Sequence, residues 1–136
     1  MRGTVVSTAT IDLKKSEDIV RMRQLVRQRA IAQGFSLVEQ TKIVTAASEL
    51  ARNTIEYGGG GVVELADVVD GIRRGIRLTF VDHGPGIPDV ELALRNGYTT
   101  GVGLGLGLGG AKRLCREFSI DSRVGEGTRV TITGWK

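Results

Sequence analysis

Apolar and polar positions change their period several times along the chain, and each change predicts an element. Residues 4–11, TVVSTATI, are rich in β-branched types and predict a first strand, followed by a charged corner at Asp12–Lys15. Ser16 is the expected N-cap of a helix with Glu17 and Asp18 in its first turn. Ile19, Val20, Met22, Leu25, Val26 and Ala30 then recur near helical spacing until Gly34. The arginines at 21, 23, 27 and 29 read as a solvated face of that helix. Ser36 and Glu39 form an S-x-x-E pattern, in which each side chain can satisfy a backbone N–H of the other, so a second helix is expected from about 37 to 57.

Gly58–Gly61 breaks that helix. The runs 62–69 and 76–82 predict a strand hairpin with its turn around Asp70–Gly75. A short helix over 89–96 follows, then a glycine-rich stretch, a helix over about 107–117, and strands at 118–124 and 128–135 joined by Gly125-Glu126-Gly127. Strands and helices do not alternate strictly. The fold class expected is therefore α/β, an α+β sandwich: a mixed, largely antiparallel sheet with helices on one face rather than a doubly wound parallel sheet.

Composition adds limits. The 136 residues are about one domain's worth, predicting a single domain over 1–136 that buries roughly two-thirds of its unfolded surface. Content that is 40% hydrophobic and 25% charged suits a globular protein, but 20 glycines are about twice the usual share, and six of them fall in 101–110. A net charge of +4 suits an anionic ligand and is too small to argue for nucleic-acid binding; that class would need steeply salt-dependent DNA affinity through the Arg21–Arg29 helix. The one cysteine, Cys115, excludes an internal disulfide and reads as a structural thiol. With neither an apolar membrane span nor a signal peptide, the expected location is cytoplasmic, away from the membrane.

Three features carry chemistry. Glu49 and Asn53 are spaced i, i+4, which places an acid and an amide on one helix face; they read either as solvated polar residues or as a hard-oxygen site suited to magnesium. Asp82 ends an apolar strand and is followed by His83-Gly84-Pro85-Gly86. It either caps a strand-to-loop turn or accepts the exocyclic amine of an adenine, with the glycines letting backbone approach a flat ring. Alternate glycines at 101, 103, 105, 107 and 109, with Gly110, read as a phosphate cradle leading into a helix whose first turns carry Lys112 and Arg113, the alternative being a linker. A dinucleotide-binding unit is disfavoured because no strand precedes the G-x-G-x-x-G, and no Gly-Lys-Ser or Gly-Lys-Thr forms a P-loop.

In this order, SELARN, DHGPG, GVGLGLGLGG and GEGT resemble the N box, G1 box, G2 box with ATP lid and last shared element of the GHKL superfamily, whose members have the Bergerat nucleotide-binding fold. The resemblance implies ATP and Mg2+ as cofactors. Asn53 would hold the metal, Asp82 would bind the adenine amine, Gly84 and Gly86 would belong to the base pocket, and Thr128 would support the adenine end. Gly101, Gly103, Gly105, Gly107 and Gly109 would wrap the triphosphate, in a lid that includes Tyr98, Thr99 and Thr100. Glu49 stands where serine kinases and ATP-hydrolysing members keep a candidate general base.

Length sets the sensor histidine kinases, gyrases and chaperones of the superfamily apart from this chain. It points to small serine/threonine kinases, either anti-sigma factor kinases or stressosome switch kinases. SELARNTIEYGGGG and GYTTGVGLGLGLGGAKRLCREFSIDS resemble the latter, the RsbT type. That resemblance implies phosphorylation of STAS-domain scaffold and antagonist proteins, then activation of a PP2C-type phosphatase by direct binding. A nucleotide-gated binding module without catalysis is the other class these residues allow.

Overall fold

The computed structural model describes residues 3–95 and 105–136. Strand β1 (Thr4–Leu13) runs two residues further than its β-branched stretch, because Asp12 and Leu13 still pair with the next strand, opposite Val62 and Gly61. Helix α1 (Ser16–Ala32) then starts one residue from expectation: Lys15, not Ser16, holds the N-cap position. Asp18 does the capping, its Oδ2 accepting the backbone N–H of Lys14 at 2.9 Å and of Lys15 at 3.1 Å. Those two amide donors, the largest cause, hold its carboxyl below the usual value of 3.8, with Arg21 helping as an ion pair.

Met22, Val26 and Ala30 bury one face of α1 completely, while Val20 faces solvent. The arginine face is less solvated than the sequence suggests. Arg21 pairs with Asp18, Arg27 donates to Gln40 at 3.2 Å, and Arg29 reaches across to Asp67 of the sheet at 2.8 Å. Helix α2 (Leu37–Glu56) has the expected capping box, with Glu39 N–H donating to Ser36 Oγ and Ser36 N–H to Glu39 Oε1, both at 3.2 Å. Its buried stripe is Ile43, Val44, Ala46, Ala47, Leu50, Ala51 and Thr54. Small residues let this helix lie close to the sheet.

Strands β2 (Gly61–Asp70) and β3 (Arg73–Asp82) form the hairpin, but the turn is only Gly71-Ile72, shorter than the expected Asp70–Gly75. Gly71 has φ +62°, the conformation a two-residue hairpin loop needs at its first position. Gly75 lies inside β3 for a packing reason. A Cβ there would come within 2.7 Å of the Trp135 ring and 2.8 Å of the Gly134 carbonyl.

Helix α3 (Val90–Ala93) is one turn capped by Asp89, whose Oδ1 accepts the Leu92 N–H. Helix α4 (Gly105–Leu114) begins two residues earlier and ends three earlier than expected, leaving Glu117 and Phe118 to open β4 (Glu117–Arg123). Strand β5 (Gly127–Trp135) closes the fold. The strand order is β1-β2-β3-β5-β4 and every pairing is antiparallel, with α3 and α4 carrying the chain from β3 across to the edge strand β4.

Alternation assigns the two sheet faces. Val63 and Leu65, Ile76, Leu78 and Phe80, and Val130 and Ile132 point toward α1, α2 and α4 and make one core with them. The opposite face holds a small cluster of Ala66, Val68 and Trp135, beside Arg77, Thr131 and Thr133. There Arg73 lies 4.7 Å from the Trp135 ring centroid, and the indole N–H donates to Glu117 at 2.7 Å. Among the described residues no helix is long and apolar enough to cross a membrane.

Candidate functional site

The chain enters the site at the end of α2. Asn53 and Thr54 in its last turn and Tyr57 at its C-cap line a cavity of about 380 Å³ between α2, the ends of β3 and β5, and α3 and α4. Leu50, Phe80, Ile87, Leu92, Leu108 and Val130 supply apolar walls, and Asn53, Asp82 and Thr128 bring polar atoms to one space. A cavity with apolar walls and few convergent polar groups suits a flat heteroaromatic ligand.

Asp82 is 8% exposed at the end of β3. Desolvation pushes its carboxyl above the usual 3.8, against the lowering effect of backbone hydrogen bonds from Gly84, at 3.0 Å, and Thr128. Across the β3–β5 ladder Asp82 lies opposite Thr128. The Thr128 hydroxyl shares a 2.8 Å hydrogen bond with Ser122, and Ser122 Oγ accepts the Ile87 N–H at 2.7 Å. The G1 loop, β4 and β5 are thus joined by one serine. Gly86, with φ +75°, passes so close to the Arg123 carbonyl that a side chain would overlap it.

The run Gly58–Gly61 does more than end a helix. A Cβ on Gly58 would overlap the Asp82 carboxylate, and one on Gly84 would lie 2.7 Å from the Gly58 Cα. Tyr57, one residue before, donates its hydroxyl hydrogen to the Gly86 carbonyl at 3.0 Å. The end of α2 is therefore fitted directly onto the loop Asp82–Gly86.

Glu49 sits one turn before Asn53, outside the cavity lining, and its carboxylate accepts from Arg52 Nη1 at 3.1 and 3.2 Å. Facing it is Gly107 of α4, where a Cβ would lie 3.1 Å from Glu49 Oε2 and 3.2 Å from Asn53 Nδ2. Gly107 and Gly109 are helical residues rather than loop residues. Gly109 admits the Leu94 carbonyl, which would lie 2.7 Å from a Cβ. Gly107 and Gly109 thus allow close helix packing, a requirement with the same sequence appearance as a phosphate loop.

The early start of α4 also moves its basic residues. Lys112 and Arg113 fall in its last turn, about 10 Å along the axis from Gly105, where they complement the C-terminal end of the helix dipole instead of an anion at its start. Gly101 and Gly103, with Tyr98, Thr99 and Thr100, lie outside the described residues.

Asn53 Nδ2 is buried with no hydrogen-bond partner among the described residues. No group of three or more His, Cys, Asp or Glu side chains able to hold a metal occurs among them either. One amide oxygen with one nearby carboxylate fits magnesium, which takes hard oxygen ligands and keeps water and phosphate oxygens around itself. Cys115 is half-buried against the core, and burial pushes its thiol up to about 12, which agrees with a structural role.

Sequence reasoning did not select Gly58, Ser122 or Arg52. Ser122 carried no signal beyond a polar residue in a strand, whereas Gly58 was part of a conspicuous run whose steric purpose needed the fold.

A sequence profile of the family described as "Histidine kinase-, DNA gyrase B-, and HSP90-like ATPase" matches residues 38–134. The serine/threonine-protein kinase RsbT of Bacillus subtilis (strain 168) is 46% identical over 118 residues, 87% of this chain and 89% of that protein. An anti-sigma F factor of Anoxybacillus flavithermus is 36% identical over 104 residues, 71% of this chain and 70% of its own length. Among solved structures, the RsbU and RsbW domains of a Mycobacterium tuberculosis protein give a TM-score of 0.66 at 24% identity, covering 96% of this chain and 33% of that longer one. The SiaB–SiaC complex of Pseudomonas aeruginosa gives 0.56 at 13% identity, covering 97% and 91%. These two likenesses are of fold. With SELARN, DHGPG and GEGT placed around one cavity, the chain belongs to the histidine kinase-, DNA gyrase B- and HSP90-like ATPase family, the GHKL superfamily, on the branch of the serine/threonine-protein kinase RsbT.

Proposed function

We propose that this chain is an ATP-dependent serine/threonine kinase of a partner-switching pathway in the cytoplasm, that it phosphorylates STAS-domain proteins of a stressosome-like scaffold, and that on release it activates a PP2C-type phosphatase by direct binding. The observation that carries the reading is the convergence of Asn53, Asp82 and Thr128 on one cavity, with Glu49 one turn beyond Asn53. In this reading Asp82 accepts the adenine amine, Thr128 and Ser122 fix the adenine end, and Gly84 and Gly86 bring backbone to the ring. The N–H groups at the start of α4, from Gly105, and the segment with Gly101 and Gly103 receive phosphate oxygens. Gly107 and Gly109 keep α4 against α2 and Leu94.

Asn53 would hold magnesium, which when bound neutralises phosphate charge. Glu49 orients the substrate hydroxyl and takes its proton. Positioning and charge stabilisation supply most of phosphoryl transfer, so a small domain is sufficient for the reaction.

Incubation with radiolabelled ATP and purified STAS-domain proteins tests this. Label should appear on a serine or threonine of a STAS protein; Glu49→Ala should keep ATP affinity and lose transfer, whereas Asp82→Asn should lose affinity. Transfer that survives in both variants overturns the reading, and ATP binding with no transfer by the unaltered chain identifies a binding module. The identity with anti-sigma F factors supports a second reading, an anti-sigma kinase, which requires nucleotide-dependent capture of a sigma factor.

A further inference from the structure

Arg52 is the residue between the candidate base and the candidate metal ligand that neither role explains. Its Nη1 lies 3.1 and 3.2 Å from the two carboxylate oxygens of Glu49, and its side chain is half exposed. An exposed i, i+3 ion pair contributes little to stability, so holding the helix together is a poor account of it. Its Nη2 and Nε hydrogens bond to no described residue. The fork is therefore half used.

The surroundings give the other half a purpose. Glu49 Oε2 faces Gly107 near the start of α4, the side of the site on which triphosphate would lie. Lys112 and Arg113, the cations that the glycine-rich segment promised, stand in the last turn of α4 instead. Arg52 is a cation set directly against Glu49 and next in sequence to Asn53.

We propose that Arg52 is a catalytic residue of phosphoryl transfer, holding Glu49 in line before the reaction and donating to the γ-phosphoryl oxygens during it. This rests on the kinase reading above. In the step, the oxygen of a protein hydroxyl forms a bond to the γ-phosphorus while the bond from that phosphorus to the β,γ-bridging oxygen breaks. The bridging oxygen leaves on ADP with the electron pair, and the hydroxyl proton passes to the Glu49 carboxylate. As that carboxylate is neutralised it needs less of the guanidinium. The transferring group spreads negative charge over its equatorial oxygens, and a planar guanidinium can meet two of them at once. Arg52 thereby moves its interaction from the base to the phosphoryl group as charge moves the same way. An interaction that strengthens only at that moment lowers the barrier without tightening ATP binding.

The test uses the full chain with a STAS substrate, comparing the unaltered protein with Arg52→Ala and Arg52→Lys. Affinity for magnesium and a non-hydrolysable ATP analogue is measured by calorimetry, and initial rates of label transfer are measured at saturating ATP. Arg52→Ala should keep analogue affinity within about threefold while kcat falls about 100-fold, the size of effect seen when one preorganised charge-stabilising donor is removed. Arg52→Lys should recover part of kcat, because it keeps the charge and loses the fork. Transfer by Arg52→Ala at the unaltered rate overturns the role of Arg52 alone, and loss of affinity in step with kcat overturns it in favour of nucleotide binding or structure. An unaltered chain that binds the analogue and transfers nothing overturns the kinase reading, and this proposal with it.

Discussion

At the scale of single residues, Asp82 shows a functional group held at a cost. Burial raises its carboxyl above 3.8, so the folded state binds a proton more readily than the unfolded one. The sign is then fixed: the resulting stability is present at acid pH, is lost as pH rises through the raised value, and is absent at neutral pH. Asp82→Asn should therefore leave the thermal midpoint of the nucleotide-free protein at neutral pH unchanged or higher, while ATP affinity drops about tenfold or more, since a lost hydrogen bond to an amine is worth at least that factor. Calorimetry on the same samples checks both. Gly107 makes the opposite case. Alanine there gains helix propensity of up to about 1 kcal/mol but puts a methyl 3.1–3.2 Å from Glu49 and Asn53. Gly107→Ala should melt close to the unaltered protein yet transfer phosphate more slowly.

At the scale of elements, the hairpin and the two helix starts show what patterns reveal and hide. Gly75→Ala should destabilise by about 1–3 kcal/mol in urea titrations, because its methyl must displace either the Trp135 ring or the Gly134 carbonyl. From sequence alone Gly75 reads as part of a turn. Its partner Trp135 is 60 positions away and becomes its neighbour only through the β3–β5 ladder. Helix α2 was legible because its capping box is local, and the shared helix face of Glu49 and Asn53 and the strand end at Asp82 follow from period, whereas Thr128 stood out only through the resemblance of GEGT to the GHKL pattern. The start of helix α4 was misjudged for one reason. Alternating glycine satisfies a phosphate loop and a tightly packed helix equally, and only contact with α2 and Leu94 distinguishes them. The capping of α1 by Asp18 rather than Ser16 is of the same kind, since both residue types are able to cap.

At the scale of the whole molecule, acid sensitivity and thiol chemistry report the assembled fold. Asp18, with its carboxyl held below 3.8, contributes stability that is present above that value and lost as pH falls through the lower folded one. Melting midpoints of Asp18→Asn should be lower than those of the unaltered chain at neutral pH and converge on them in strong acid. Cys115, raised to about 12, should resist alkylation at neutral pH until the chain unfolds, so its labelling rate measures global opening. The placement of the one tryptophan has a practical consequence. Trp135 lies on the sheet face opposite the helices, under Arg73 and bonded to Glu117, and is absent from the lining of the cavity. Its intrinsic fluorescence should follow unfolding and stay silent when nucleotide is titrated, so one optical channel isolates folding and a Tyr57→Trp variant would open a second one for the ligand.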